Sequence, residues 1–89
     1  MATIHVMHRS GCLFDVTVED SHGSTSHEVT VWPSDIARYA PEAAPEDLIQ
    51  ASFAFLLERE PKDAILRRFE LPAIEARFPE YLFHISGML

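Results

Sequence analysis

The chain has 89 residues, 47% of them apolar and 24% charged, ordinary values for a folded domain and far from those of disordered, collagen-like or membrane-spanning chains. That length fits one domain built on one core, with a stability margin thin enough that association with a second copy would help. Seven basic against fourteen acidic residues leave a formal charge of −7, which repels phosphate backbones and anionic lipid at long range and disfavours generic binding to either.

From Thr3 to Trp32 the apolar residues recur with period two, the signature of side chains alternating across a pleated strand. Ile4 and Val6 share a face of a first strand, Phe14, Val16 and Val18 a face of a second, and Val29 and Val31 a face of a third. The breaks at Arg9-Ser10-Gly11-Cys12 and at Glu19 to Thr25 are short and rich in turn formers, which predicts a three-stranded antiparallel meander. Thr3, His5, Asp15, Thr17, Glu28 and Thr30 occupy the opposite, polar face, interrupted by Met7, Leu13 and Trp32.

At Pro33 the pattern changes. Pro33 suits a first helical turn and Asp35 the positive end of a helix dipole, which predicts a short helix over Pro33–Tyr39. After a hinge between Pro41 and Pro45, Glu46 and Asp47 open the longest helix, reaching about Glu58. Its Leu48, Ile49, Ser52, Phe53, Phe55, Leu56 and Leu57 cover more of the circumference than one sheet contact requires, so burial on two sides is expected. Pro61 stops this helix. Ile65, Leu66 and Phe69, then Ile74 and Phe78, predict two further short amphipathic turns opened near Pro61 and Pro72, with Pro79 ending the last.

The expected fold is therefore α+β, with strands first and helices after: residues 1–32 as sheet and residues 33–89 as three to four helices on one of its faces, in two layers. One domain covers the whole of 1–89. The longest apolar run, Ala51 to Leu57, falls far short of the roughly 20 residues that cross a bilayer. Cys12 is the sole cysteine, and no charged start followed by an apolar run marks a secretory signal, so the reducing cytoplasm is expected.

In the C-terminal half, Arg59-Glu60-Pro61, Ile65-Leu66-x-x-Phe69 and Phe78-Pro79-Glu80-Tyr81 follow one another behind a leucine-rich helix. This stretch, Phe55 to Tyr81, resembles a group of small bacterial proteins that share these motifs. The resemblance covers under a third of the chain and implies a fold and a bacterial setting without supplying an activity.

Four kinds of chemistry can be weighed on the residues. Metal binding would draw on His5, His8, Cys12, His22 and His27, imidazole and thiolate being good zinc and copper ligands, yet no standard spacing is present. His5 and His8 point to opposite strand faces, leaving at best His8, Cys12 and a turn histidine such as His22 to converge. Catalysis is not expected, because no Gly-x-Ser-x-Gly or Cys-x-x-Cys supplies an activated nucleophile. Nor is a cofactor expected: Gly11, Gly23 and Gly87 form no phosphate-cradling loop.

Nucleic-acid binding would have to use Arg59, Lys62, Arg67, Arg68 and Arg77, the last four within residues 61–89, where four basic residues meet four acidic ones. Protein interaction is the remaining class. It is motivated by the over-wide apolar face of the long helix, by Trp32 on the polar sheet face, and by the apolar tail Tyr81 to Leu89. Trp32, Phe53, Leu57, Tyr81, Phe83 and Leu89 are the residues named for such an interface, core completion being the competing role for Trp32 at its strand end. The functional expectation is a non-catalytic interaction or regulatory domain, with a protein partner or a second copy of itself; the alternative is a nucleic-acid-associated regulator using Arg59 to Arg77.

Overall fold

The computed structural model describes residues 2–89 and has the α+β class expected. Strands β1 (Thr3–Ser10), β2 (Leu13–Asp20) and β3 (Gly23–Thr30) form an antiparallel meander, with Ile4 opposite Val18, Val6 opposite Val16 and Phe14 opposite Val29. Gly11 provides the positive φ of 52° that the first turn needs, a backbone state a Cβ would strain. In the second turn the Asp20 carboxylate accepts from the His22 amide at 2.8 Å, so the side chain stands in for a backbone turn bond.

The helices start where the sequence places them. Helix α1 spans Pro33–Tyr39 and α2 spans Pro45–Leu57, each with proline at its start, where the missing N–H has no partner to lose. The Trp32 amide donates to the Asp35 carboxylate at 2.8 Å, while the Asp35 amide donates back to the Trp32 carbonyl at 2.9 Å, closing the entry to α1. On α2, Leu48, Ile49, Phe53, Phe55 and Leu56 are all buried, leaving a narrow outward stripe of Asp47, Gln50, Ala54 and Leu57.

Beyond Pro61 the structure departs from the expectation. The chain makes one 3₁₀ turn over Lys62–Ala64 and then extends, so that Arg68–Glu70 becomes a fourth strand, β4. It lies parallel to β3, with Val29 opposite Phe69, and the sheet order is β1-β2-β3-β4. The expected amphipathic turn through Ile65, Leu66 and Phe69 is thus not formed: Ile65 and Leu66 lie in the connection after the 3₁₀ turn and Phe69 lies on β4, and a mixed four-stranded sheet replaces the three-stranded antiparallel one. A strand returning to the sheet also splits the helical block, so two plain layers do not describe the molecule. The physical reason is the open edge of β3: there the Arg67 carbonyl and the Leu71 amide find partners on Glu28 and Thr30, and Phe69 is buried opposite Val29 while Arg68 and Glu70 stay exposed. After β4 come α3 (Pro72–Arg77), α4 (Tyr81–His84) and a 3₁₀ turn over Ile85–Met88. Buried residues of the sheet and helices join in one core, from Phe14, Val16 and Val18 to Ile74, Tyr81 and Ile85.

A polar link crosses this core. His27 on β3 is only 3% exposed and lies edge-on to the Phe53 ring, their centroids 5.4 Å apart. Its Nδ1 meets the Leu66 carbonyl at 2.8 Å and therefore carries the proton, leaving Nε2 to accept from the Thr25 hydroxyl at 2.8 Å. Burial pushes the imidazole pKa below its ordinary 6.5, and the nearby Arg67 charge adds to this against the opposing bond to Leu66. The unfolded chain, with the higher pKa, then takes up the proton first as pH falls. His27 favours folding fully above about pH 6.5 and loses that contribution as pH drops toward the depressed folded value. Urea unfolding should accordingly show a lower midpoint at pH 5.5 than at pH 7.5, with a smaller difference in His27→Gln; equal pH sensitivity in the two proteins would exclude His27 as the source.

Candidate functional site

The residues named from the sequence for an interface do not form one surface. Phe53 and Tyr81 are fully buried, which corrects their assignment to a contact face: both complete the core. The Tyr81 ring stands edge-on to Phe55 at 5.2 Å and to Tyr39 at 5.0 Å. Trp32 is half-exposed on the outward sheet face, where its indole N–H donates to Glu70 of β4 at 2.7 Å. Leu57 lies half-buried against the core edge, and Phe83 projects outward with 79% of its surface exposed. The apolar tail is folded, not loose, because Tyr81 and Ile85 anchor it, and Leu89 is left half-exposed at its end.

The basic group is scattered over separate elements, and carboxylates meet most of it. The Arg59 guanidinium stacks 3.6 Å over the Phe55 ring and reaches Glu80 at 3.2 Å. Lys62 is 5% exposed, its ammonium 3.0 Å from Asp20, whose pKa that hydrogen bond lowers. Arg68 pairs with Glu28 at 3.2 Å and Arg77 with Glu60 at 2.8 Å. Arg67 is exposed, and among the described residues no ion pair involves it. A phosphate could meet Arg67 freely but would have to displace existing pairs to reach the other four.

The histidines and Cys12 are likewise apart in role. His8 bonds the Gly11 carbonyl at 2.8 Å and stacks on Phe14, His5 pairs with Glu19 at 3.0 Å, His22 sits in a turn, and His27 is in the core. Among the described residues, no three His, Cys, Asp or Glu side chains converge as a metal ion would need. Among the described residues, no helix is long and apolar enough to cross a membrane.

A sizeable concavity lies elsewhere. A groove of about 760 Å³ runs between the α1–α2 connection, the outward stripe of α2 and the C-terminal 3₁₀ turn. Its walls are Tyr39, Ala40, Pro41 and Ala43 on one side, Ala51 and Ala54 on the helix, and Met88 and Leu89 on the other. The volume exists because four lining residues are alanines: where α2 could project leucine, it projects a methyl group. Glu42 and Asp47 stand among the lining residues, and among the described residues neither enters a salt bridge. The arrangement is an apolar slot with unneutralised carboxylates beside it.

Tyr39 braces one wall. Its hydroxyl donates to Glu75 at 2.6 Å, and Arg38 grips the same carboxylate at 2.9 Å, tying α1 to α3. Burial, reinforced by the bond to Glu75, pushes the Tyr39 pKa up to about 12, so it remains a donor throughout the physiological range. Opposite, the Ser52 hydroxyl donates to the Leu48 carbonyl at 2.6 Å, which obliges Tyr81 to donate to Ser52 at 2.7 Å. Of the residues named from the sequence, only Leu89 lines the groove. The legible signal was Asp47, Gln50, Ala51 and Ala54, spaced i, i+3, i+4 and i+7 along one helix face, a pattern masked by small side chains.

No family model, curated protein or solved structure matches the chain, so its functional reading rests on this geometry.

The buried Ser52–Tyr81 pair makes an asymmetric prediction. Ser52→Ala strands the Tyr81 hydroxyl in the core and should lower stability by about 1–3 kcal/mol, whereas Tyr81→Phe leaves Ser52 bonded to Leu48 and should cost about 1 kcal/mol. Chemical denaturation of the two variants measures the order; a larger loss for Tyr81→Phe would refute the donor assignment.

Proposed function

We propose that this chain is a non-catalytic protein-interaction domain, a small acidic regulator of the bacterial cytoplasm, whose groove receives an apolar segment of another protein flanked by basic residues. The observation that carries the reading is the slot of about 760 Å³ with Glu42 and Asp47 beside it. Alanines, Pro41, Met88 and Leu89 offer contact area to leucine-sized side chains, while the carboxylates favour Lys or Arg at the ends of the bound segment. Glu46, in the first turn of α2, adds a third acid nearby in sequence.

The same charges argue against a second copy as the groove's occupant. Each copy carries −7, so a partner presenting its own acidic surface would set like charges together without a counter-charge. A segment with an apolar face at i, i+3, i+4 and i+7 and cationic flanks fits both the shape and the field. Catalysis would require an oriented nucleophile or acid–base pair, whereas the groove's function needs only complementarity.

Fluorescence anisotropy with two designed amphipathic helices, identical in their leucine face but carrying either Lys or Glu flanks, tests the reading. The Lys-flanked peptide should bind, with affinity falling as salt rises, and Ala54→Arg, which fills the slot and offsets part of its negative charge, should abolish binding without lowering the melting temperature. Equal binding of the two peptides, or binding unaffected by Ala54→Arg, would remove the groove as the site.

A further inference from the structure

Strand β1 is the outer strand of the sheet, paired only to β2. Edge strands in stable monomers are usually shortened, bulged, charged or interrupted by proline, because their free N–H and C=O groups invite another strand. The opposite edge follows that rule, β4 having three residues. β1 has eight and contains neither Pro nor Lys. Its protective features, Arg9 and the register irregularity between His8 and Ser10, are confined to its C-terminal end, so Thr3–His8 is regular and open.

The side chains of this edge are also incompletely covered. Ile4 and Val6 face the core but remain partly exposed, whereas Val18 and Val16 opposite them are fully buried. In a chain of charge −7 the first acidic residue is Asp15, so β1 is a strip where two copies can meet without placing carboxylate against carboxylate along the strands themselves.

We infer that a second copy of the chain pairs with this edge, β1 running antiparallel to the partner's β1 about a twofold axis, to give one continuous eight-stranded sheet. The register follows from the side-chain alternation. A twofold axis normal to the sheet keeps core-facing residues opposite core-facing residues, so the axis must pass through a residue position and not between two. With the axis at His5, Ile4 meets the partner's Val6 and Val6 meets the partner's Ile4, using only the regular segment. With the axis at Val6, Ile4 would face the partner's His8, and Arg9 would be drawn in at the irregularity. Of these two, the His5-centred register is the one that closes both half-covered apolar positions. This interface is separate from the groove and does not rest on the function proposed for it.

Cysteine cross-linking decides the matter. In a Cys12→Ser background, His5→Cys places two thiols across the axis, where opposed strand residues have Cα atoms about 4.5–5.5 Å apart, within disulfide reach. His5 is exposed, so the variant should fold. Mild oxidation should convert it to a covalent dimer, while Ser26→Cys, exposed on β3, should still associate but form no covalent cross-link. Adding Ile4→Lys to the His5→Cys chain should abolish the cross-link and shift the sedimentation-derived mass from dimer to monomer, with circular dichroism checking that it folds. A wild-type chain that remains monomeric at high concentration would overturn the inference. So would a dimer that cross-links through Ser26→Cys and not through His5→Cys.

Discussion

Three residues of parallel strand hold the two halves of this molecule together. The Glu28 amide donates to the Arg67 carbonyl at 2.8 Å and the Leu71 amide to the Thr30 carbonyl at 3.0 Å, so β4 is bonded at both ends to β3. Parallel pairing cannot be made by a hairpin; it requires a long crossover, and here the crossover is everything from Val31 to Arg67, including α1 and α2. Once Phe69 is inserted beside Val29, α2 is confined between the sheet and the C-terminal segment, which is why so much of its circumference is buried. His27 reinforces the same seam through the Leu66 carbonyl, and Lys62 through Asp20.

The outward face of the sheet shows how an exposed surface can be specified without being stabilised much. Arg9 reaches both Asp15 and Glu28, and Glu28 is also met by Arg68, so a row of alternating charge runs from β1 to β4. Trp32 closes the row through Glu70. Each exposed pair contributes well under about 1 kcal/mol, and the row's effect is on register: a slip of one residue would bury these charges in the core.

The groove is a consequence of the crossover. The α1–α2 connection must turn back between Pro41 and Pro45, and α2 must then pass the tail that Tyr81 and Ile85 anchor. Alanines line the resulting gap, so the surfaces leave space instead of meeting. Glu42 and Asp47 are at that gap for a local reason as well, Asp47 belonging to the acidic first turn of α2 that complements its dipole. A carboxylate that complements the helix dipole thus also contributes to the field of the groove.

By itself the sequence determined the local structure: the period-two runs of β1 to β3, the proline-opened helices α1 and α2, and the mixture of strands and helices that makes the class α+β. These are consequences of short-range geometry, in which a residue's neighbours a few positions away decide its conformation. Tertiary structure decided the rest. The alternation in Arg68-Phe69-Glu70 is too short to declare a strand until Val29 offers it a partner. Phe53 and Tyr81 carry the composition of an interface, and only the closing of α2 against the tail turns them into core. Arg59, Lys62, Arg68 and Arg77 read as one basic group along the chain, but the fold sends each to a different carboxylate. Charge and apolar character are properties of residues, whereas exposure, pairing and the groove belong to contacts between residues distant in sequence, which no local pattern encodes.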